Sequence, residues 1–501
     1  MDLIQNISAG FQVSLQLVNL LYCLFGVAIG TLIGVLPGIG PSAAIALLMP
    51  ISFHLPTVSA IILLSGIYYG AMYGGSTTSI LVNIPGEAAS VVTCIDGYQM
   101  ARQGRAGPAL GISAMGSFIG ATISLLGLML IAPPMAKVAR EFGAPEYFGV
   151  IWLGLTLLVY LGSGSILKSL ISALVGLSLS FVGQDMFTGD DRFTLGITRL
   201  KDGIALIPIF MGFFGISEVL MNLEQIIKQE IYETRIRHLL PNLKDWKDSI
   251  GAILRGTIVG FFLGIIPGGS AMIASFASYA VEKRISKHPE RFGTGAIEGV
   301  AGPETANNAG AQGSFIPLFA LGIPPNVSVA LLAGAFMLHG IRPGPMMMEQ
   351  HADLFWAIVT SMYIGNAMLL VFNLPMIGVW VQILKIPYKT LFPLILLFCV
   401  IGSYSVNYSS FDVVVMIVFA VIGYAFRKME FEGAPLVLAF ILGSMMENAF
   451  RQSLIISYGS FKIFMTRPIC AVSLLVALLI LLFNLFPFFR KSREALERGE
   501  S

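Results

Sequence analysis

Apolar residues in this chain fall into long blocks, separated by short polar breaks or by glycine and proline. The blocks lie near 11–36, 41–53, 58–84, 107–136, 148–183, 203–222, 250–265, 270–281, 314–338, 354–384, 390–426, 433–449 and 468–489. A bilayer-spanning helix needs roughly 20 apolar residues, so some blocks are too short to cross and others can hold two segments. The short alternating segments of a membrane β-barrel are not visible. The pattern predicts an all-α polytopic membrane protein of about 10–12 transmembrane helices, with broken helices and re-entrant hairpins among them.

Charge sharpens this picture. From Leu3 to Gly86, a run of 84 residues, there is no Asp, Glu, Lys or Arg. Charged residues make up 12% of the chain, against about 25% in soluble domains. With 56% hydrophobic residues, this excludes a soluble enzyme, a nucleic-acid binder and a disordered chain. The net charge of +2 says nothing about partners. One polar connector, with Lys228, Arg235, Arg237, Lys244 and Lys247, divides the chain nearly in half. The expected organisation is a first membrane repeat (1–223), a basic cytoplasmic connector (224–249), a second membrane repeat (250–465), and a C-terminal span with a cytoplasmic tail (466–501). The N-terminus has no basic segment and no A-x-A-like cleavage site, so the first span is expected to stay in the mature protein. Cys23, Cys94, Cys399 and Cys470 show no CxxC spacing and read as small core residues.

The halves repeat. Gly26, Gly30, Gly34 and Gly38 recur as Gly256, Gly260, Gly264 and Gly268, at an offset of 230 in all four cases. Both ladders end in Pro-Gly. Ile84-Pro85 recurs as Ile323-Pro324 at offset 239, and Gly107-Pro108 as Gly344-Pro345 at offset 237. Basic residues mark cytoplasmic loops. Ser52 to Thr57, after the first Pro-Gly, has none, whereas its counterpart carries Lys283, Arg284, Lys287 and Arg291. The same loop on opposite sides of the membrane means inverted repeats, a hallmark of secondary transporters.

Glycine at every fourth position lets another backbone approach a helix face. Packing is the expected role of Gly26, Gly30, Gly256 and Gly260. The ladder ends differ, because Pro37-Gly38-Ile39-Gly40-Pro41-Ser42 and Pro267-Gly268-Gly269-Ser270 cannot continue a helix. Each reads either as a hairpin tip inside the membrane, where free N–H groups attract an anion, or as a tight loop at the surface. The anion reading singles out Gly38, Gly40, Ser42, Gly268, Gly269 and Ser270. A second pair of clusters interrupts apolar runs. One is Tyr73 to Ser79 with Asn83, singling out Ser76, Thr77 and Asn83. The other is Ala306 to Ser314, singling out Asn307, Asn308 and Gln312. Paired broken helices in matching positions point to a substrate site, and their oxygens suit Na⁺. The alternative is that these hydroxyls bond their own helix backbone. Glu87, Asp96, Glu298 and Glu304 lie near the breaks. Asp96, close to Arg102, reads as a membrane-surface acid. Glu298 and Glu304 read either as coupling residues or as structural support. Neither tip carries Lys or Arg, so a carboxylate there would be held by helix N-termini, amides and hydroxyls. No HExxH, GxSxG, Walker or DxDxDG motif occurs, and the five His are scattered; neither an enzyme nor a metal site is expected.

At these motifs the chain resembles the large membrane subunit, TctA, of the tripartite tricarboxylate transporters. In the first half the likeness rests on Gly34-Val-Leu-Pro-Gly-Ile-Gly40, Gly66-Ile-Tyr-Tyr-Gly70, Tyr73-Gly-Gly-Ser76, Asn83-Ile-Pro-Gly86 and Asp96-Gly97. In the second it rests on Ile266-Pro-Gly268, Glu298-Gly-Val-Ala-Gly-Pro-Glu304, Asn307-Asn308, Gly322-Ile-Pro324 and Pro343-Gly-Pro345. These motifs cover most of residues 20–350. Where the family usually reads Gly-Ile-Pro-Gly-Ser, this chain has Gly322-Ile-Pro-Pro325-Asn326, which puts citrate itself in doubt as the ligand. The resemblance implies a permease subunit in a bacterial inner membrane, working with a small four-span membrane subunit and a periplasmic solute-binding protein. An H⁺ or Na⁺ gradient would drive carboxylate uptake, with no other cofactor and no nucleic acid. An autonomous carrier or channel is the alternative, and an intramembrane enzyme a more distant one.

Overall fold

A computed structural model describes residues 3–36, 40–161, 165–224, 239–269, 271–383 and 388–483. Nine helices among them are long and apolar enough to cross a membrane: Leu17–Val35, Thr57–Val82, Ala106–Ala139, Ala144–Leu161, Leu206–Glu224, Leu243–Ile265, Ala352–Asn373, Ser410–Lys428 and Gly433–Ile456. Shorter apolar helices, including Pro41–Ser52, Ile166–Ser180 and Val327–Leu338, make up the rest of the apolar blocks. The helix Leu243–Ile265 shows how sequence sets orientation. Leu254, Ile258 and Phe262 form an exposed apolar row, while Gly256, Gly260 and Gly264 are buried on another face. In a bilayer the first row meets lipid, which is as apolar as leucine, so only close backbone packing holds the second row.

That packing occurs twice. A methyl group on Gly26, Gly30 or Gly34 would run into the carbonyls of Leu63, Ile67 and Ala71 on Thr57–Val82. On Gly256, Gly260 or Gly264 it would meet those of Gly302, Ala306 and Gly310 on Glu298–Gly313. The glycines are related by 230 and their partners by 239, at all three levels. After each ladder comes a short helix, Pro41–Ser52 or Ala271–Ile285, of 12 and 15 residues. Neither is long enough to cross alone.

The loops that follow also match. Thr57–Val82 ends at Asn83 with φ 59°, and Phe315–Leu321 at Gly322 with φ 73°. Glu87 (φ −144°, ψ 168°) and Asn326 (φ −146°, ψ 170°) then occupy the same extended backbone, each accepting an N–H from the helical turn it starts. One expectation fails. The Tyr73 to Ser79 cluster does not break its helix, which runs unbroken to Val82. Ser79 bonds back to the Gly75 carbonyl, and Thr78 bonds outward to the Val35 carbonyl, 2.7 Å away. The small residues are there for packing. In the second half the helix does break, at Ser314.

The structure describes the connector from Leu239 onward. There Asn242 caps the helix that begins at Leu243, and Asp245 is paired with Arg105. At the far ends of Ile166–Ser180 and Gly433–Ile456, a small hairpin pairs Gly183 with Arg192 and Gln184 with Asp191. It is clamped by Arg451 on Asp185 (2.6 Å) and Arg192 on Glu447 (2.7 Å). The Arg451 hydrogen bond holds the Asp185 carboxyl well below the usual carboxylate range. The charged form is thus favoured by folding, and its contribution is lost as pH falls. Arg451→Ala is expected to return Asp185 toward its ordinary range. Thermal stability should then be lower than in the wild type at pH 7 and should fall less steeply as the pH is lowered, so that the two profiles converge in acid. Superimposable pH profiles would show the clamp to be inert.

Candidate functional site

The two matched loops lie beside one buried polar cluster. Glu304, on the helix Glu298–Gly313, receives the Ser76 hydroxyl at 2.5 Å and that of Thr93. Glu87 caps the turn Ala88–Ser90, taking the Ala89 N–H at 2.6 Å, and receives the Asn307 amide at 3.1 Å. The side chain of Glu87 lies over Gly75, next to Ser76, and a Cβ there would meet it. Asn308 donates to the Ser117 hydroxyl at 2.8 Å and to the Glu304 carbonyl at 3.1 Å. Tyr73 donates to Asn366, which reaches back to Thr122 and the Phe118 carbonyl. Ser76, Thr77, Glu87, Glu304, Asn307, Asn308 and Gln312 are all buried.

The contacts across the halves are reciprocal. Asn326 of the second half donates to the Tyr68 hydroxyl of the first, at 3.3 Å. Asn307 of the second donates to Glu87 of the first. Tyr68 and Asn307 are 239 apart, as are Glu87 and Asn326. Position i of one repeat touches position j of the other, and j touches i. This is the contact rule of a two-fold relation.

Six of the fourteen residues singled out in the sequence come together here: Ser76, Asn307, Asn308 and Glu304 bond within the cluster, with Thr77 and Gln312 buried on the same two helices. Gly40 begins the helix Pro41–Ser52 and has open space around it. Ser42 bonds Ser328, at 3.0 Å, on the helix that Asn326 caps. Gly268 takes φ 81°, and its N–H donates to the Pro325 carbonyl at 3.0 Å, so the second tip rests on the loop that departs from the family pattern. Gly269 is held against the carbonyl of Leu263. Gly38 and Ser270 lie outside the described residues. Asn83 is exposed and makes the turn. Glu298 is half-buried at the N-terminus of its helix, apart from the bonds that join the cluster, with one carboxylate oxygen buried and without a partner.

Asp96, expected at the membrane surface near Arg102, is turned into the protein and not toward solvent. It is fully buried. It accepts the N–H groups of Gly293, Gly295 and Ala296 at 2.8–2.9 Å and the Tyr279 hydroxyl at 2.8 Å. Partners almost 200 positions away override a basic residue six positions away. Glu87 and Tyr68 were not singled out as ligands either. Applying the 239 offset to Asn307 and Asn326 identifies both.

The profile of the "Tripartite tricarboxylate transporter TctA family" matches residues 20–438. Two proteins of Agrobacterium vitis are similar. One, "Uncharacterized 52.8 kDa protein in TAR-I ttuC' 3'region", is 51% identical over 494 residues, covering 99% of this chain and 98% of its own. The other, "Uncharacterized protein in TAR-II ttuC' 3'region", is 51% identical over 235 residues, covering 47% of this chain and 97% of its own. No solved structure matches the chain.

Proposed function

Since the chain belongs to the tripartite tricarboxylate transporter TctA family, we propose that it is the permease subunit of a binding-protein-dependent secondary transporter, taking up an organic carboxylate driven by an H⁺ or Na⁺ gradient. It is a multi-pass membrane protein in a transporter family. Its expected setting is the bacterial inner membrane, with a small four-span subunit and a periplasmic solute-binding protein as partners. The observation that carries the reading is the reciprocal pairing of Tyr68 with Asn326 and of Glu87 with Asn307 around one buried polar cluster. Two like repeats meeting about a two-fold, with matching loops of which one is basic and the other uncharged and so expected on opposite sides of the membrane, give a carrier two nearly equivalent ways to close over a central site. In this reading the carboxylate is taken at the Pro-Gly tips, by Gly40 and Ser42 at the start of Pro41–Ser52 and by Ser270 at the second tip, whose turn Gly268 and Gly269 close with N–H groups donated to Pro325 and Ile266.

The test is uptake of labelled di- and tricarboxylates into proteoliposomes holding this protein and its small membrane partner, under an imposed H⁺ or Na⁺ gradient. Uptake only when the binding protein is present is the expected result. Uptake without it would make the protein an autonomous carrier, and flux without a gradient would make it a channel. In the same assay, Asn307→Ala and Ser270→Ala are each expected to lower uptake at unchanged membrane levels. Wild-type rates in both would remove the proposed site.

A further inference from the structure

Glu87 and Glu304 are buried acids without a basic neighbour: none of the ion pairs among the described residues includes either one. Burying a carboxylate charge in low dielectric is costly unless it is paired. Beside them stand Asn307 and Asn308, fully buried, whose side-chain oxygens have no hydrogen-bond partner. Their orientation is fixed chemically. The Asn308 amide nitrogen donates to a backbone carbonyl, which could never receive an amide oxygen, and that of Asn307 donates to Glu87, which could not receive one while ionised. With Glu87 ionised, both Asn residues therefore present carbonyl oxygens. One turn further on, both polar atoms of the Gln312 amide are also without partners.

We propose that Glu87, Glu304 and the side-chain oxygens of Asn307 and Asn308, with Gln312 at one end, form a Na⁺ site at the junction of the two repeats. This rests on the permease reading and names its coupling ion. An all-oxygen donor set suits a hard cation. A proton neutralises one acid and can at most serve Asn307 beside Glu87, but it gives the Asn308 amide oxygen no partner, whereas a cation serves acids and amides together. An anionic substrate is repelled by two acids at this place, so the carboxylate belongs at the Pro-Gly tips. Filling the cation site first removes that repulsion, which couples the two ligands through ordinary linkage.

The experiment uses the purified full-length protein in detergent with no carboxylate present. Thermal stability is measured in NaCl against equal KCl and CaCl₂, together with equilibrium binding of ²²Na⁺. Stabilisation by Na⁺ alone is expected. Glu304→Gln and Glu87→Gln should weaken Na⁺ binding about tenfold or more, the scale of losing a charged hydrogen-bonding partner. The neutral changes Asn307→Ala and Asn308→Ala should weaken it in the same direction, and they keep the test informative if an acid variant does not fold. Stabilisation that is absent, equal in KCl, stronger in CaCl₂ or dependent on pH alone would overturn the site. So would unchanged Na⁺ affinity in both Asn variants. Because no substrate is used, loss of Na⁺ binding with intact carboxylate uptake defeats this site and spares the permease reading. Intact Na⁺ binding without uptake does the reverse.

Discussion

Gly34→Val and Gly264→Val are each expected to prevent recovery of a monodisperse protein in detergent, while Gly40→Ala leaves it intact. The Cβ of Gly34 would enter the space of the Ala71 carbonyl, and that of Gly264 the space of the Gly310 carbonyl. Both obstacles are backbone of a buried helix, so no rotamer change relieves them. Overpacking costs about 1–3 kcal/mol where side chains can move aside. Here the helices themselves must separate, which also exposes the next glycine contact along the ladder. Stability totals only about 5–15 kcal/mol for typical domains, and a loss at or above the top of the overpacking range is a large share of it. At Gly40 nothing lies near the added methyl. The measurement is size-exclusion profile and melting temperature for all three variants. A monodisperse Gly264→Val at wild-type stability would refute the backbone-contact account of the ladder.

Asp96→Ala should have the second large effect. The carboxylate satisfies three backbone N–H groups and one phenol, and each buried donor left without an acceptor costs about 1–3 kcal/mol. Asp96→Asn keeps one acceptor oxygen and should lose less. The loop it holds contains exposed Lys287 and Arg291, so release has a direct readout. Trypsin should cut there much faster in Asp96→Ala than in the wild type, with Asp96→Asn between them. Equal cleavage in all three proteins would mean that the loop is held by other contacts.

How legible this was differs by residue. The membrane class followed from the absence of charge between Leu3 and Gly86, because a bilayer tolerates little else. The ladders were legible because glycine at every fourth position has one common purpose between apolar helices. What they pack against was not, since partner carbonyls leave no mark on side-chain chemistry. The cluster Tyr73 to Ser79 looked like a break because small hydroxyl residues are poor helix formers. Packing against Gly34 and two hydroxyl bonds to backbone override that preference. The partners of Asp96 were not legible because three of them are backbone N–H groups, which every residue but proline carries and no sequence pattern displays. In the candidate site, the acids and amides were visible as types. Their pairing became visible only through the offset of 239, which turns Asn307 and Asn326 into pointers to Glu87 and Tyr68.

The long reach of these bonds has a consequence for biogenesis. Asp96 waits 197 positions for Gly293, and Glu87 waits 220 for Asn307. At synthesis rates of roughly 5–20 residues per second, the first half sits in the membrane for about ten seconds or more before its acids find partners. A half-finished chain therefore holds Asp96 without the N–H groups and phenol that donate to it, and Glu87 with only its own turn. Insertion of the second half is thus expected to complete the first, whose buried acids gain their full set of donors only after residues 293–307 have entered the fold.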